Sequence, residues 1–330
     1  MVTFTVFKGD KQGRIFEDTT TRTIGEHEVL VRITHSGLCG TDIHFKTSNI
    51  GLGHEGVGVV EEIGERVTLF KKGERAGWGY EHNSCGHCKQ CLTGWETLCA
   101  ERRMFGEVSL DQGSLGSHFV MDENFLFKIP ESMSSAEAAP LMCGGATVFN
   151  PFKVYNIKST DRVGVLGIGG LGHLAIQFAA RWGCEVVVFS GTDSKKEEAM
   201  RLGATEFYAV KGLKELKIKA PLDHLLVTTA SQPDWQMYLP LMAPSGTIFP
   251  LTVSGGDLKI PYMPFLQKAL TVQGSLVAAR QVHREMLDFA AHHNIRPIIQ
   301  TFPMSLEGVN KAFDTLAAGD MRYRGVLVVE

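Results

Sequence analysis

The sequence has no long hydrophobic run: nothing in it approaches the ~18 consecutive apolar residues that a membrane-crossing helix takes. Its first residues, Met1 to Asp10, lack the basic stretch and apolar core of an export signal. A strong charge of either sign is missing too. With 33 Lys and Arg against 36 Asp and Glu, the formal net charge is −3, so neither nucleic acid nor an anionic membrane is an expected partner. There is no internal repeat and no low-complexity segment. Cysteine is scarce, 7 of 330 residues, and without an export signal the expected setting is reducing and cytoplasmic. There, cysteines are better read as metal ligands or free thiols than as disulfides.

What is present is an ordinary globular composition, 44% hydrophobic and 21% charged, in a chain long enough for two domains. From Phe4 to about Leu126 the pattern is short and β-rich, with strands expected at 29–33, 56–63 and 116–120. No helix-length periodic segment precedes Ser134, where Ser134 and Glu137 form a capping-box pattern. From about Val148 strand and helix alternate, with strands expected at 163–166, 185–189, 206–210, 223–227, 247–251 and 270–275. A helix is expected over 195–202, and Pro240 should stop or kink the helix that follows Asp234. Such alternation implies a doubly wound parallel sheet. A helix over 285–292 and a strand over 325–329 then return to the first domain. The expected division is residues 1–147, a nucleotide-binding domain at 148–278, and 279–330.

The most ordered motif near the middle runs Gly167-Ile168-Gly169-Gly170-Leu171-Gly172. It follows the apolar run Val163–Leu166 and precedes apolar residues at helical spacing, Leu171, Leu174, Ala175, Phe178, Ala179 and Trp182. Gly167, Gly169 and Gly172 match the dinucleotide-binding pattern in its required strand–turn–helix context. The first glycine permits the turn, the second admits a pyrophosphate, and the third lets helix and strand close. The phosphates would rest on the free amides at the helix start.

Cys85, Cys88, Cys91 and Cys99 fall within fifteen residues. Four thiolates at this spacing complete a closed tetrahedral zinc shell, which is structural because no position is left for substrate. The rival, an iron–sulfur cluster, takes a three-residue last gap followed by proline, whereas here the gap is seven and Ala100 follows. Cys39 and Cys143 are ambiguous on local grounds, since a buried free thiol is a common core residue. Cys184 precedes a buried strand and reads as packing.

These residues together resemble a family. The order of Cys39-Gly40-Thr41-Asp42, Gly53-His54-Glu55-Gly56-x-Gly58, the four-cysteine loop and the glycine turn is similar to that of zinc-containing, medium-chain alcohol dehydrogenases. Ser84–Cys88, Ala139–Cys143 and Glu285–Ala290 narrow the likeness to the cinnamyl alcohol dehydrogenase branch. The resemblance covers nearly the whole chain. It implies an irregular β-rich, GroES-like catalytic domain beside the α/β Rossmann domain, and two zinc ions per chain. The catalytic zinc would be held by Cys39, His54 and Cys143, with its fourth position open. Glu55 would stand beside the metal, and Asp42 would orient His54. Thr41 would bond the substrate oxygen and begin a proton relay toward His44, for which a solvated loop histidine is the plainer reading. A homodimer is implied as well. One departure stands out: the segment between His44 and His54 is short, and lacks most of the family's aromatic- and proline-bearing loop there.

NAD-binding enzymes place an acidic residue after the second strand of this fold. Here Ser190 takes that position, and Ser190, Thr192 and Lys195 suit an adenosine 2′-phosphate, so NADP(H) is the expected cofactor. Asp193 argues the other way, and a solvated Lys195–Lys196 pair is the plain alternative. The expected activity is hydride transfer between NADP(H) and a primary alcohol–aldehyde pair, aromatic or allylic. Alternatives are a polyol or formaldehyde dehydrogenase, or a nucleotide-binding protein kept as a structural or sensor element.

Overall fold

The computed structural model describes residues 1–329. The chain forms two compact units, one of Met1–Ala146 with the stretch that begins at Val277, the other of Thr147–Leu276. No helix is long and apolar enough to cross a membrane.

The Thr147–Leu276 unit is built on a six-stranded sheet. Its strands lie in the spatial order Glu206–Ala209, Glu185–Ser190, Arg162–Leu166, Leu222–Val227, Met242–Pro250, Thr271–Val272, every adjacent pair parallel. Parallel strands covered on both faces read as unbroken apolar runs, and all five residues of Arg162–Leu166 are buried. The chain works outward from Arg162–Leu166 to one edge, then restarts beside it with Leu222–Val227. That reversal creates a crevice at the carboxyl ends of these strands, where open α/β sheets take their ligands. The helix Gly172–Trp182 covers the sheet with Leu174, Ala175, Ile176, Phe178 and Ala179 buried, and ends at Gly183 in the left-handed region, φ 105°.

Two expectations in this unit meet a local cause. The helix after Asp234 stops at Tyr238 and tightens into a 3₁₀ turn, Leu239–Leu241, because Pro240 has no amide to continue it. The strand expected over 270–275 is only Thr271–Val272. The Gly274 carbonyl, which a longer ladder would use, accepts instead from the Tyr155 hydroxyl at 3.0 Å and the Gln273 amide at 2.8 Å.

In the other unit Glu28–Leu38 is the central strand. It pairs antiparallel with Glu55–Ile63, with His118–Asp122 and with Arg324–Val328, the last of which is flanked by Ile299–Pro303. Arg75–Trp78 and Phe127–Lys128 extend the sheet. Trp78 is fully buried and stacks on Phe119 at 4.8 Å. The capping box at Ser134 is present, Ser134 Oγ accepting from the Glu137 amide and Glu137 returning a bond to the Ser134 amide.

Before Ser134, however, there are two short helices, Gly40–Phe45 and Lys89–Leu92. Both are too short to show an apolar period, which is why the pattern passes over them. The helix at 285–292 is longer than expected, Arg280–His292, because buried Glu96 holds its first turn through the Arg280 amide at 2.7 Å and guanidinium at 3.0 Å. A further helix, Leu306–Ala317, is capped by Ser305.

Candidate active site

Cys39 stands in extended backbone, φ −135° and ψ 178°, as the N-cap of the helix Gly40–Phe45. Asp42, in the first turn of that helix, is fully buried. Its Oδ2 accepts from the Cys39 amide at 3.0 Å, and its Oδ1 accepts from the Gly53 amide at 3.2 Å and from His54 Nδ1 at 3.1 Å. One carboxylate therefore ties together the two segments that carry Cys39 and His54. It also orients the imidazole: with Nδ1 turned to Asp42, Nε2 is the ring nitrogen that faces Cys39 Sγ, 3.4 Å away.

Cys143 arrives from a distant part of the chain, just past the buried 3₁₀ turn Ala139–Met142. Ligand atoms of Cys39, His54, Glu55 and Cys143 all lie within 4.8 Å of one another. The Cys39 thiol is held well below its ordinary range, first by a hydrogen bond from Cys143 and then by the charge of His54, while Cys143 rises as the proton-holding partner. Burial alone would lower His54, but Asp42 and the Cys39 thiolate raise it well above the usual imidazole value. Two thiols and one imidazole, gathered with Glu55 in one cluster, are a donor set that suits Zn²⁺ with one position left over.

Glu55 is fully buried and paired with Arg324. Burial pushes the Glu55 carboxyl up and Arg324 pulls it back; the direct contact favours the charged pair, and Glu55 Oε2 is left without a partner. Arg324 was not singled out in the sequence. Its signal is a cation opening an otherwise apolar strand, Arg324-Gly325-Val326-Leu327-Val328, whose antiparallel pairing with Glu28–Leu38 carries it to Glu55. Thr41 is half-buried beside Cys39 on the same helix. His44, in the last turn, is exposed and, among the described residues, forms no hydrogen bond or ion pair with the cluster.

An aromatic wall flanks His54 that the sequence pattern did not reveal. Tyr80 meets the imidazole edge-on at 5.5 Å, Phe105 lies 4.9 Å from it, and Phe45 packs edge-on against Phe105 at 5.1 Å. A side chain at position 106 would collide with the Phe45 ring, so Gly106 gives Phe45 room beside Phe105.

The four-cysteine loop is a separate cluster. Cys99–Cys85, Cys88–Cys91 and Cys85–Cys91 sulfurs are 3.6, 3.6 and 3.9 Å apart. Backbone amides of Cys88 and Glu101 point at the sulfurs of Cys85 and Cys99, at 3.4 and 3.3 Å. Such donors stabilise thiolates, and the Cys85 thiol is lowered to about 6, chiefly by backbone amides. Four converging sulfurs fit tetrahedral zinc.

At the glycine turn, Gly167 has φ 96°, and the Thr228 hydroxyl pins the turn through the Leu166 carbonyl at 2.8 Å. A Cβ at Gly172 would collide with the Gly167 carbonyl and stand 2.9 Å from Thr228 Oγ1; at Gly169 it would meet nothing within 4 Å. Gly172 is therefore a glycine for the fold, while Gly169 leaves open space that nothing in the protein uses, as a bound pyrophosphate requires. Gly170 and Leu171 lead into the helix start. Lys195 Nζ donates to the Ile168 carbonyl at 2.9 Å, placing its ammonium over this turn. Ser190 ends its strand half-buried, while Thr192 and Asp193 are exposed. Two cavities of about 250 Å³ open at the carboxyl ends of the strands, one lined by Gly167, Phe189 and Ser190, the other by Val227, Trp235 and Thr252.

With this geometry in hand, comparison places the chain among known proteins. Residues 25–131 match the alcohol dehydrogenase GroES-like domain, and residues 170–292 match the zinc-binding dehydrogenase domain. The chain is 34% identical over 323 residues to NADP-dependent alcohol dehydrogenase C 1 of Mycolicibacterium smegmatis, covering 93% of this chain and 92% of that protein. It is 34% identical to cinnamyl alcohol dehydrogenase 8 of Arabidopsis thaliana, covering 94% and 90%. Among solved structures it is similar to a cinnamyl alcohol dehydrogenase of Sorghum bicolor, with TM-score 0.92 and 30% identity over 99% of this chain and 98% of that one.

Proposed function

This chain belongs to the zinc-binding alcohol dehydrogenase family, and from that premise we propose that it moves hydride between NADP(H) and a primary alcohol–aldehyde pair, aromatic or allylic in substrate. The observation that carries the proposal is the convergence of Cys39, His54 and Cys143 in one cluster, with Asp42 turning His54 Nε2 into it. When bound, zinc there supplies Lewis acidity toward the substrate oxygen, and NADP(H) supplies or accepts the hydride.

The remaining roles fall to the chain. Asp42 holds the His54 tautomer, which keeps Nε2 a ligand. Glu55 and Arg324 balance charge beside the thiolates. The Thr41 hydroxyl holds the proton of the substrate oxygen, and exposed His44 exchanges it with solvent. The Tyr80, Phe105 and Phe45 rings offer an apolar, aromatic wall, which is the support for an aromatic substrate. Amides of the Gly167–Gly172 turn hold the pyrophosphate, and Ser190, Thr192 and Lys195 hold the 2′-phosphate. Cys85, Cys88, Cys91 and Cys99 hold a second, structural zinc. In this reading residues 148–278 bind the nucleotide, and 1–147 with 279–330 form the catalytic domain. A reducing, cytoplasmic setting belongs to this reading, because six of the cysteines serve it as zinc-binding thiolates. Exposed Tyr262, Met263 and Leu266 near the Thr271–Val272 edge support a homodimer.

The test is NADPH oxidation against a panel of aldehydes, with metal counted per chain. Turnover of cinnamaldehyde or benzaldehyde with two zinc ions per chain supports the reading. Preference for formaldehyde, or oxidation of a polyol in the reverse assay, moves the substrate assignment, and no turnover with both metals present removes it.

A further inference from the structure

The four-cysteine loop carries two ligand-type side chains that a four-sulfur shell leaves unused. His87 lies between Cys85 and Cys88 in the chain, Glu101 lies just past Cys99, and both are exposed. Ligand atoms of Cys85, His87 and Glu101 all lie within 4.8 Å of one another, a group that has only Cys85 in common with the four sulfurs. The local chain builds it. Gly86 is in the left-handed region, φ 75°, with nothing around it, and its turn folds His87 back so that Nδ1 meets the Cys85 carbonyl at 2.7 Å. A carbonyl only accepts, so Nδ1 carries a proton there and the neutral ring keeps its lone pair on Nε2. From the other side the Glu101 amide donates to Cys99 Sγ at 3.3 Å, and the Arg102 guanidinium donates to the Thr97 carbonyl at 3.1 Å, which ties Glu101 to the loop. Among the described residues the Glu101 carboxylate has no hydrogen-bond or ion-pair partner.

Sulfur, imidazole nitrogen and carboxylate oxygen are the donors that zinc takes in proteins, whereas calcium and magnesium take oxygen almost alone. A thiolate bound to one zinc keeps lone pairs and can bridge to a second. Four thiolates around one divalent ion also leave surplus negative charge, which a cation beside Cys85 would offset. Zinc bonds of about 2.0–2.3 Å at tetrahedral angles put ligand atoms roughly 3.5 Å apart. The two exposed side chains need only rotate inward to reach that spacing. Resting on the reading that Cys85, Cys88, Cys91 and Cys99 hold a structural zinc, we propose that Cys85, His87 and Glu101 bind an additional, exchangeable Zn²⁺ that shares the Cys85 thiolate with that shell. Three protein ligands leave its fourth position to water. Solvent reaches two of the three ligands, which is what sets this ion apart from the one enclosed by four sulfurs.

The experiment adds Co²⁺ to the zinc-loaded, dialysed protein and follows thiolate-to-cobalt charge-transfer absorption, with bound zinc counted before and after. Cobalt binds such donors more weakly than zinc, so it should fill the outer site without displacing the ions already held. Wild type should show the absorption with its zinc content unchanged, and excess Zn²⁺ should remove it. His87→Ala and Glu101→Gln should keep the zinc content and melting temperature of wild type while weakening Co²⁺ binding at least about tenfold, since even a supporting contact at a metal site is worth that much. Cobalt bound without charge-transfer absorption, an adventitious ion only, overturns the inference. So does absorption that grows only as zinc leaves, or that persists at full affinity in both variants. In each of these cases the structural-zinc reading stands. Unchanged zinc content in Cys91→Ser overturns that reading, and the shared-thiolate site with it.

Discussion

Two alanine substitutions three residues apart should separate what the glycine turn does for the fold from what it does for a ligand. At Gly172 an added methyl would run into the Gly167 carbonyl, with the Gly167 carbonyl carbon 2.8 Å away and Thr228 Oγ1 2.9 Å away. These are backbone and pinned side-chain atoms, so the helix Gly172–Trp182 must move off its strand. Overpacking of this kind costs about 1–3 kcal/mol. At Gly169 the same methyl meets nothing within 4 Å, and the residue is not in the left-handed region. Gly169→Ala should therefore leave stability unchanged or raise it by about 0.4–1 kcal/mol, through the reduced freedom of the unfolded chain. Its effect should fall on the ligand instead. A methyl in that space keeps the pyrophosphate off the turn, and losing one charge-assisted hydrogen bond of about 1.5–3 kcal/mol weakens NADPH binding roughly ten- to a hundredfold. Urea denaturation without cofactor reads the first quantity, and titration of NADPH fluorescence reads the second. If Gly169→Ala binds NADPH like wild type, the open space beside Gly169 does not serve the pyrophosphate. A Gly172→Ala protein as stable as wild type would show that the turn relaxes around the methyl.

Cys91→Ser should lower zinc content by about one atom per chain and reduce thermal stability, since a structural zinc shell contributes directly to folding; unchanged metal content and melting temperature would refute the site. Lys195→Ala should weaken NADPH roughly ten- to a hundredfold while leaving NADH nearly unaffected, and Ser190→Asp should shift preference toward NADH. Equal loss of both cofactors in titrations at fixed salt would hand the ribose contact to Asp193. Glu81 is buried with neither carboxylate oxygen bonded, and burial followed by the nearness of Glu96 pushes it up to about 8. The folded chain then keeps a proton that the unfolded chain releases near pH 4.5, so stability falls as pH rises through that window, by on the order of 1.4 kcal/mol per unit. Glu81→Gln should remove the slope, matching wild type near pH 4 and exceeding it at pH 8; parallel stability curves would show that Glu81 ionises freely.

The motifs that the sequence determined by itself are the compact ones. The thiols of Cys85, Cys88, Cys91 and Cys99 are held together by two- and seven-residue gaps, and the turn Gly167–Gly172 by a strand and helix on either side, so neighbours in the chain are also neighbours in space. The parallel sheet was legible for the same reason: strands such as Arg162–Leu166 are buried on both faces and show as apolar runs. Where the length of an element was misjudged, a side chain from elsewhere set it, as Glu96 does for Arg280–His292 and Tyr155 for the edge strand at Thr271–Val272. The cluster of Cys39, His54, Glu55 and Cys143 belongs to the tertiary structure. Spacing alone left Cys39 and Cys143 ambiguous, because a buried thiol and a ligand look alike until partners are placed around them. The antiparallel pairing of Arg324–Val328 with Glu28–Leu38 sets Arg324 against Glu55, and Gly106 gives Phe45 room beside Phe105. None of these pairs has a local period or gap to read, since each forms only when segments far apart in the chain come together.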